Sequence, residues 1–406
     1  MKTDYDLLII GGGLVGASLA CALGRSGLRI GVVEPVPFKA ERQPSYDDRA
    51  IALAQGTQRI FSGMGLWKRL AEEVTPILQI HVSDRGRFGF TRLRREEAGV
   101  AALGYTATAR LLGQVLVERL AELDRVEVLC PARLEGVSSG DDAIFVEINV
   151  GGECRSLSAR LLVAADGADS AVREGFGIPV TLWDYGQSAI VANVRSQLDH
   201  ENVAYERFTE QGPIALLPMG AHRCAIVWSV PNERLASVER LDDAGFLAAL
   251  QDNFGYRLGR FEAIGKRASY ALRLVKAREA VRPRLALIGN AAHALHPIAG
   301  QGFNLGLRDV AALAECLAEV ARARGDPGNT QLLQRYAQWR RHDQGRVIAF
   351  TDGLTRLFAN PLLPVALLRD AGMLALDFVP PAKRLFGKLT MGRVGRLPRL
   401  ARGLPL

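Results

Sequence analysis

Gly11, Gly13 and Gly16 stand in the spacing G-x-G-x-x-G directly after the apolar run Leu7-Leu8-Ile9-Ile10, and Glu34 ends the next apolar run eighteen positions past Gly16. Those residue types at that spacing suit a pyrophosphate. Gly11 permits a tight turn, Gly13 lets backbone approach phosphate oxygens, and Gly16 lets a helix pack on a strand. The helix opening there offers free N–H groups to negative charge. Glu34 is placed to accept hydrogen bonds from ribose hydroxyls. A glycine turn without a ligand is the plainer alternative, and the agreement of strand, helix and terminal acid argues against it.

The fingerprint does not distinguish one dinucleotide from another, so the choice rests on two later segments. Asp166-Gly167 follow the apolar run Val163-Ala164-Ala165, with Arg173 a short turn beyond. This reads as a strand-to-turn corner beside a cofactor, or equally as a surface turn, since Asp-Gly is a common turn pair. The stretch from Leu287 to Gly306 is dense in small residues, which lets backbone lie against a flat ring. There the Asn290 amide is suited to a ribityl hydroxyl, and the N–H groups from Gly300 to Asn304, opening a helix, to the negative charge of a reduced ring. A structural glycine loop is the alternative. His293 and His296 flank this loop, where histidines more often pack or hydrogen-bond than shuttle protons. No Ser/His/Asp order, carboxylate pair or metal-ligand constellation stands out.

The elements that must position these residues follow from hydrophobic periodicity. Strand, glycine turn, helix and strand over Leu7 to Val33 make one βαβ unit, and the wholly apolar first strand belongs at the centre of a parallel sheet. The pattern predicts helices over 48–70 and 107–123, a strand over 77–93, and meander strands over 126–129, 143–150 and 161–165. A second sheet is expected from 189–194, 203–208, 214–218 and 223–230. The chain then re-enters the first domain with a strand over 285–288 and a helix over 306–322. Residues beyond Thr330 read as helices broken at Pro361, Pro364 and Pro380-Pro381. The expected architecture is α/β. A discontinuous dinucleotide domain takes 1–76, 94–180 and 276–330, a β-sheet substrate domain takes 77–93 and 181–275, and a helical region with a basic tail takes 331–406.

The 406 residues are 48% hydrophobic and 23% charged, which excludes disorder and allows two domains. Five cysteines at irregular spacing suggest neither a disulfide framework nor a zinc site, and fit a reducing cytoplasm. The uncharged run from Leu7 to Gly24 is neither signal peptide nor membrane span, because Asp4 and Asp6 precede it and three glycines interrupt it. Of the net charge of +8, nearly all arises after Asp377, where seven Lys and Arg meet no acid. Such a tail is either solvated or directed to an anionic partner, a membrane surface or an acidic protein.

With Asp47-Asp48-Arg49-Ala50-Ile51-Ala52-Leu53, the three glycine-bearing segments resemble the single-component FAD-dependent aromatic hydroxylases of the p-hydroxybenzoate hydroxylase type. The strings DDRAIALAQGTQRI, ERFTEQGPIALLPM and IGNAAHALHPIAGQGFNLGLRDV are similar to the ubiquinone-biosynthesis branch of that family. The similarity is expected to hold to about Leu376 and fade in the basic tail. The resemblance implies that Gly11, Gly13, Gly16 and Glu34 hold the ADP half of FAD, that Arg49 lies along the cofactor, and that Arg110 and Gln114 approach the pyrophosphate. It implies that Asp166 and Gly167 serve both FAD and the pyridine nucleotide, and that Gly289, Asn290, Gly302, Phe303 and Asn304 contact the flavin end. The usual family pattern has Gly-Asp where this chain has Gly289-Asn290. The loop residues Pro297, Gly300 and Gln301 are the candidates for the flavin face, with no acid or base assigned.

The implied reaction reduces FAD with NAD(P)H, adds O₂ at the flavin C4a position and transfers one oxygen to a polyprenylated methoxyphenol. A single dinucleotide fingerprint fits NAD(P)H as a transient co-substrate. The implied location is cytoplasmic, with peripheral attachment to the inner membrane face through the basic tail, or membership of a biosynthetic protein complex; nucleic acid is not an expected partner. Three alternatives stay open: a sister hydroxylase acting at another ring carbon, a flavoprotein reductase, and a non-catalytic FAD-binding subunit.

Overall fold

The computed structural model describes residues 3–38, 43, 46–360 and 362–406. Strand Tyr5–Ile10 lies at the middle of an eight-stranded sheet, parallel to Ile30–Val33 on one side and Glu153–Ala164 on the other. Burial on both faces explains its unbroken apolar sequence: Leu7, Leu8 and Ile9 are fully buried. Leu7 and Ile9 meet helices Leu14–Leu23, Ala109–Ala121 and Gln301–Arg322 on one face. Leu8 and Ile10 meet the meander of Ile144–Val150 on the other. Three layers therefore surround the glycine turn.

A nine-stranded, largely antiparallel sheet forms the second body, running from His293–Ala294 through Ala268–Ala277, Val180–Ser196 and Arg223–Pro231 to the hairpin Gln79–Asp84 and Phe90–Arg94. The alternation of Val180–Ser196 sorts its side chains. Ile190 and Val194 join Trp228, Phe246 and Phe254 in a core under helix Asp243–Phe254. Ala189, Val191 and Asn193 line a cavity.

Helices Thr330–Ala359, Leu363–Phe378 and Pro380–Thr390 complete the chain. Among the described residues no helix is long and apolar enough to cross a membrane. The basic tail is not a free appendage. Lys383 pairs with Glu97 and Asp377 at 3.0 Å each, Arg396 stacks on Trp339, and Leu400 and Ala401 are buried in the first core.

Several elements differ from the periodicity reading. The helix expected over 48–70 is strand Ala50–Ala54 followed by helices Gln55–Gly63 and Trp67–Leu70. Pairing with Gly104–Thr108 overrides the local helical pattern. The strand expected over 77–93 is a hairpin turned at Gly86, which has φ of +72°. Strand Arg133–Ser139 lacks an apolar signal because its side chains are exposed or half-exposed and mostly polar. The helix expected from Gly306 starts at Gln301, where Gly300 in the left-handed region (φ +59°) ends the loop. The expected break at Pro361 lies outside the described residues.

Candidate functional site

The glycine spacing is enforced by backbone crowding. A Cβ on Gly11, whose φ is +101°, would stand 2.4 Å from the Ala165 carbonyl oxygen, and one on Gly16 would stand 1.9 Å from that of Gly11. Either contact would force the strand and helix apart. Gly13 caps helix Leu14–Leu23 without a side-chain hydrogen bond, so the turn presents backbone groups. Glu34 is buried at the end of the neighbouring strand. Its Oε2 accepts from Gly12 N–H at 2.8 Å, and its Oε1 from Val36 N–H at 3.0 Å. Burial pushes its pKa up, against the pull of these hydrogen bonds.

Asp166 follows strand Glu153–Ala164 and accepts Val172 N–H at 3.1 Å through Oδ2. Its Oδ1 is buried with no hydrogen-bond partner among the described residues, and burial raises its pKa. An orphaned acceptor at a cavity wall is a fitting site for a ligand hydroxyl. Arg173 ties this corner to the third segment, donating to the Ala168 carbonyl at 2.6 Å and to the Ala291 carbonyl at 3.0 Å.

In the third segment, Gly289 (φ +57°) turns the chain and Asn290 lies exposed on the cavity wall. Pro297, Gly300 and Gln301 also line the cavity, but the Gln301 amide donates to the Thr390 carbonyl at 3.3 Å and so braces the C-terminal region. Gly302 faces open space, with nothing within 4 Å of where a Cβ would be. Asn304 is committed to structure. Its Oδ1 accepts from Ala54 N–H and Thr57 Oγ1, and its Nδ2 donates to the Ala52 and Gly300 carbonyls. The backbone at Gly302 and Phe303, in the first turn of a 22-residue helix, lies on the wall where the helix dipole favours negative charge.

Arg49 reaches the wall as well, paired with Asp47 at 2.6 Å and lying over the Tyr270 ring at 4.9 Å, so it ties the segment before strand Ala50–Ala54 to the nine-stranded sheet. Arg110 is exposed and paired with Asp48 at 2.8 Å at the edge of the same cavity. Gln114 does not converge with them. It is exposed, donates to Glu118, and is outside the cavity lining.

A group that the sequence reading passed over lies behind the loop. Asp309, fully buried, takes His293 Nε2 at 2.6 Å and Gly289 N–H at 3.1 Å on one oxygen, and Arg340 Nε at 2.7 Å and Gln344 Nε2 at 2.9 Å on the other. Asp343 then bridges Arg340 and Arg308. Burial alone would raise the Asp309 pKa, but the charges and hydrogen bonds of His293 and Arg340 hold it well below the carboxylate range. The available signal was the pair Arg308-Asp309 inside the apolar run from Leu305 to Leu317.

These walls enclose one cavity of about 2090 Å³, reaching from Gly11 to Met391. Its polar end holds the glycine turn, Glu34 and Asp166. Its apolar end is built by Val191, Leu217 and Val227 of the second sheet and by Leu354, Phe358 and Met373 of the C-terminal helices. The volume exceeds the roughly 300–1,000 Å³ of an ordinary small-molecule pocket and suits a dinucleotide plus a second ligand. The crowded Gly11 turn, the orphaned Asp166 oxygen and the open Gly302 face fit FAD.

The FAD binding domain family matches residues 4–351. Ubiquinone hydroxylase UbiL of Rhodospirillum rubrum is 42% identical over 404 residues, covering 99% of this chain and 93% of that protein. That alignment reaches into the basic tail, while the family match ends at residue 351. The 3-demethoxyubiquinol 3-hydroxylase of Escherichia coli K12 is 32% identical over 95% of this chain and 98% of its own length. Among solved structures, p-nitrophenol 4-monooxygenase PnpA from Pseudomonas putida DLL-E4 shares the fold with a TM-score of 0.81 at 19% identity, covering 98% of this chain and 100% of that one. The chain belongs to the family of FAD-dependent aromatic hydroxylases that includes the ubiquinone hydroxylases.

Proposed function

We propose that this protein hydroxylates the aromatic ring of a polyprenylated phenol in ubiquinone biosynthesis, consuming NAD(P)H and O₂. The observation that carries this reading is one cavity lined at one end by the glycine turn, Glu34 and Asp166 and at the other by apolar side chains. Gly11, Gly13, Gly16 and Glu34 would hold the ADP half of FAD, with Arg49 and Arg110 along its length. Asp166 and Asn290 would take sugar and ribityl hydroxyls, with Gly167 and Gly289 turning the chain close by. When bound, FAD supplies the redox chemistry that activates O₂.

The chain contributes environment. Backbone N–H groups of Gly302, Phe303 and Asn304 would stabilise negative charge on a bound flavin. Pro297 and Gly300 would form the surface that faces the bound ring, and the side chain of Gln301 holds that surface against Thr390. Ala189, Val191 and Leu272 on the second sheet exclude water from the reacting ring. His296, buried against Tyr185, has its pKa pushed down to about 4 and stays neutral near pH 7, so it is unsuited to donate a proton there.

On this reading the division of labour follows the two sheets. The discontinuous stretches 1–76, 94–180 and 276–330 carry FAD, 77–93 and 181–275 carry the far wall of the substrate site, and 331–406 closes the apolar end. A substrate with an insoluble tail also calls for delivery from a membrane surface or within a protein complex. The test supplies the purified protein with FAD, NAD(P)H, O₂ and a prenylated methoxyphenol, and identifies the product by mass and ring position. Oxygen uptake that yields only H₂O₂ with every prenylated phenol offered would refute the reading.

A further inference from the structure

Helix Leu363–Phe378 has its polarity reversed. Its three charged residues all turn toward the protein: Arg369 pairs with Asp84, Asp370 is buried beside Gly89, and Asp377 accepts Arg92 N–H at 2.8 Å. These contacts dock the helix on the hairpin Gln79–Asp84 and Phe90–Arg94. Its outer face is apolar throughout, with Leu363 61% exposed, Leu368 74% and Phe378 76%, and it continues through Val379 to Leu385. Globular helices ordinarily face water with their charges. Contiguous apolar surface of this kind marks an interaction site.

Two further observations say what covers it. The same helix is a wall of the cavity through Val365, Leu368, Gly372, Met373 and Leu376, so Leu368 belongs at once to the cavity lining and to the surface. Leu357 does the same from the preceding helix. The flank of the patch is cationic. Arg384 and Lys388 are exposed on helix Pro380–Thr390, no acid occurs among residues 378–406, and Arg356 lies 4.6 Å over the half-exposed ring of Trp183. An apolar face flanked by arginine, lysine and tryptophan matches the layering of a bilayer surface, where tails are apolar and headgroups anionic.

We propose that the outer face of helix Leu363–Phe378 rests on a bilayer containing anionic lipid, and that Leu357 and Leu368 mark the opening through which a lipid-tailed ligand passes between bilayer and cavity. The proposal rests on the prenylated-substrate reading for its ligand and relocates the attachment expected of the basic tail. The cations assist, and the apolar helix face provides the contact.

The test is flotation of the full FAD-loaded chain with vesicles of phosphatidylcholine alone and of phosphatidylcholine mixed with phosphatidylglycerol. The protein should float with the mixed vesicles, and less so in high salt. The triple variant Leu363→Ser, Leu367→Ser, Phe378→Ser lies outside the cavity lining and should keep its flavin absorbance while losing about tenfold or more of its bound fraction. The single variant Phe378→Ser, at an open position, should show a smaller loss in the same direction. Flotation of the triple variant equal to the parent, or no flotation of the parent on either vesicle, overturns the proposal. So does a parent that is dimeric in solution and ignores vesicles while the triple variant is monomeric, since a second copy would then cover the face. Flotation needs no substrate. A protein that floats but hydroxylates no prenylated phenol defeats only the substrate reading, and one that hydroxylates detergent-dispersed substrate yet never floats defeats only the docking.

Discussion

His293 Nε2 and Asp309 Oδ2 meet at 2.6 Å in a region closed to solvent, and the same carboxylate oxygen holds the N–H of Gly289. The loop proposed to contact the flavin is thereby hung from a single buried acid. Replacing Asp309 by Asn removes one of the two carboxylates paired with the Arg340 guanidinium and leaves only Asp343, so the cost should fall below the roughly 3–5 kcal/mol of a fully orphaned buried charge. The expected outcome is a lower urea midpoint and weaker FAD retention. Because the Asp309 pKa is depressed, its contribution is present above the unfolded carboxylate value and is lost only as pH falls through the still lower folded value. The stability difference between parent and variant should therefore be flat from neutral pH to mild acid.

His296 loses stability in the same direction, toward acid, but in a higher pH window. Burial lowers its pKa to about 4, so the unfolded chain binds the proton more readily between that value and the ordinary one. Its stabilisation is complete above the ordinary histidine pKa and declines by about 3 kcal/mol as pH falls toward 4. His296→Asn removes the titration and retains a polar acceptor near Ile298 N–H. Chemical denaturation at neutral and mildly acid pH should show a shallower loss for the variant. An equal loss in both proteins would contradict the assignment.

Two glycines with the same substitution should fail in different ways. Gly16→Ala places a Cβ against the Gly11 carbonyl and should yield little folded protein. Gly302→Ala meets nothing within 4 Å, so the chain should fold normally while its flavin content or reduction rate falls. Circular dichroism with flavin absorbance separates the two. A Gly302→Ala protein with unaltered flavin binding and turnover would remove that face from the site.

At the far end of the cavity, Ala215 lines the wall on strand Ile214–Pro218. Ala215→Phe should raise KM for a long-tailed prenyl phenol by about tenfold, the equivalent of 1.4 kcal/mol. A short-tailed analogue should be little affected. Equal changes for both would place the tail elsewhere.

The glycine turn, Glu34, Asp166-Gly167 and the loop near residue 300, singled out in the sequence, line one cavity, and the residue types that mark such turns are restricted locally. The central parallel strand was legible for a similar reason, since burial on both faces demands an unbroken apolar run. Ala50–Ala54 was misread as helix because its state depends on a partner strand some fifty residues later. Gln114 looked equivalent to Arg110 on its helix, yet only Arg110 reaches the cavity edge.

Sequence by itself determined the α/β class, the dinucleotide fingerprint and the family, because each depends on residue types at short, fixed separations. Tertiary structure alone decided that Asp309 gathers His293, Arg340 and Gln344 behind the loop, and that helix Leu363–Phe378 turns its charges inward. Both outcomes depend on partners brought together from distant segments. An isolated carboxylate or apolar residue has the same chemistry wherever it stands, and only packing settles whether it meets a guanidinium, a cavity or open surroundings.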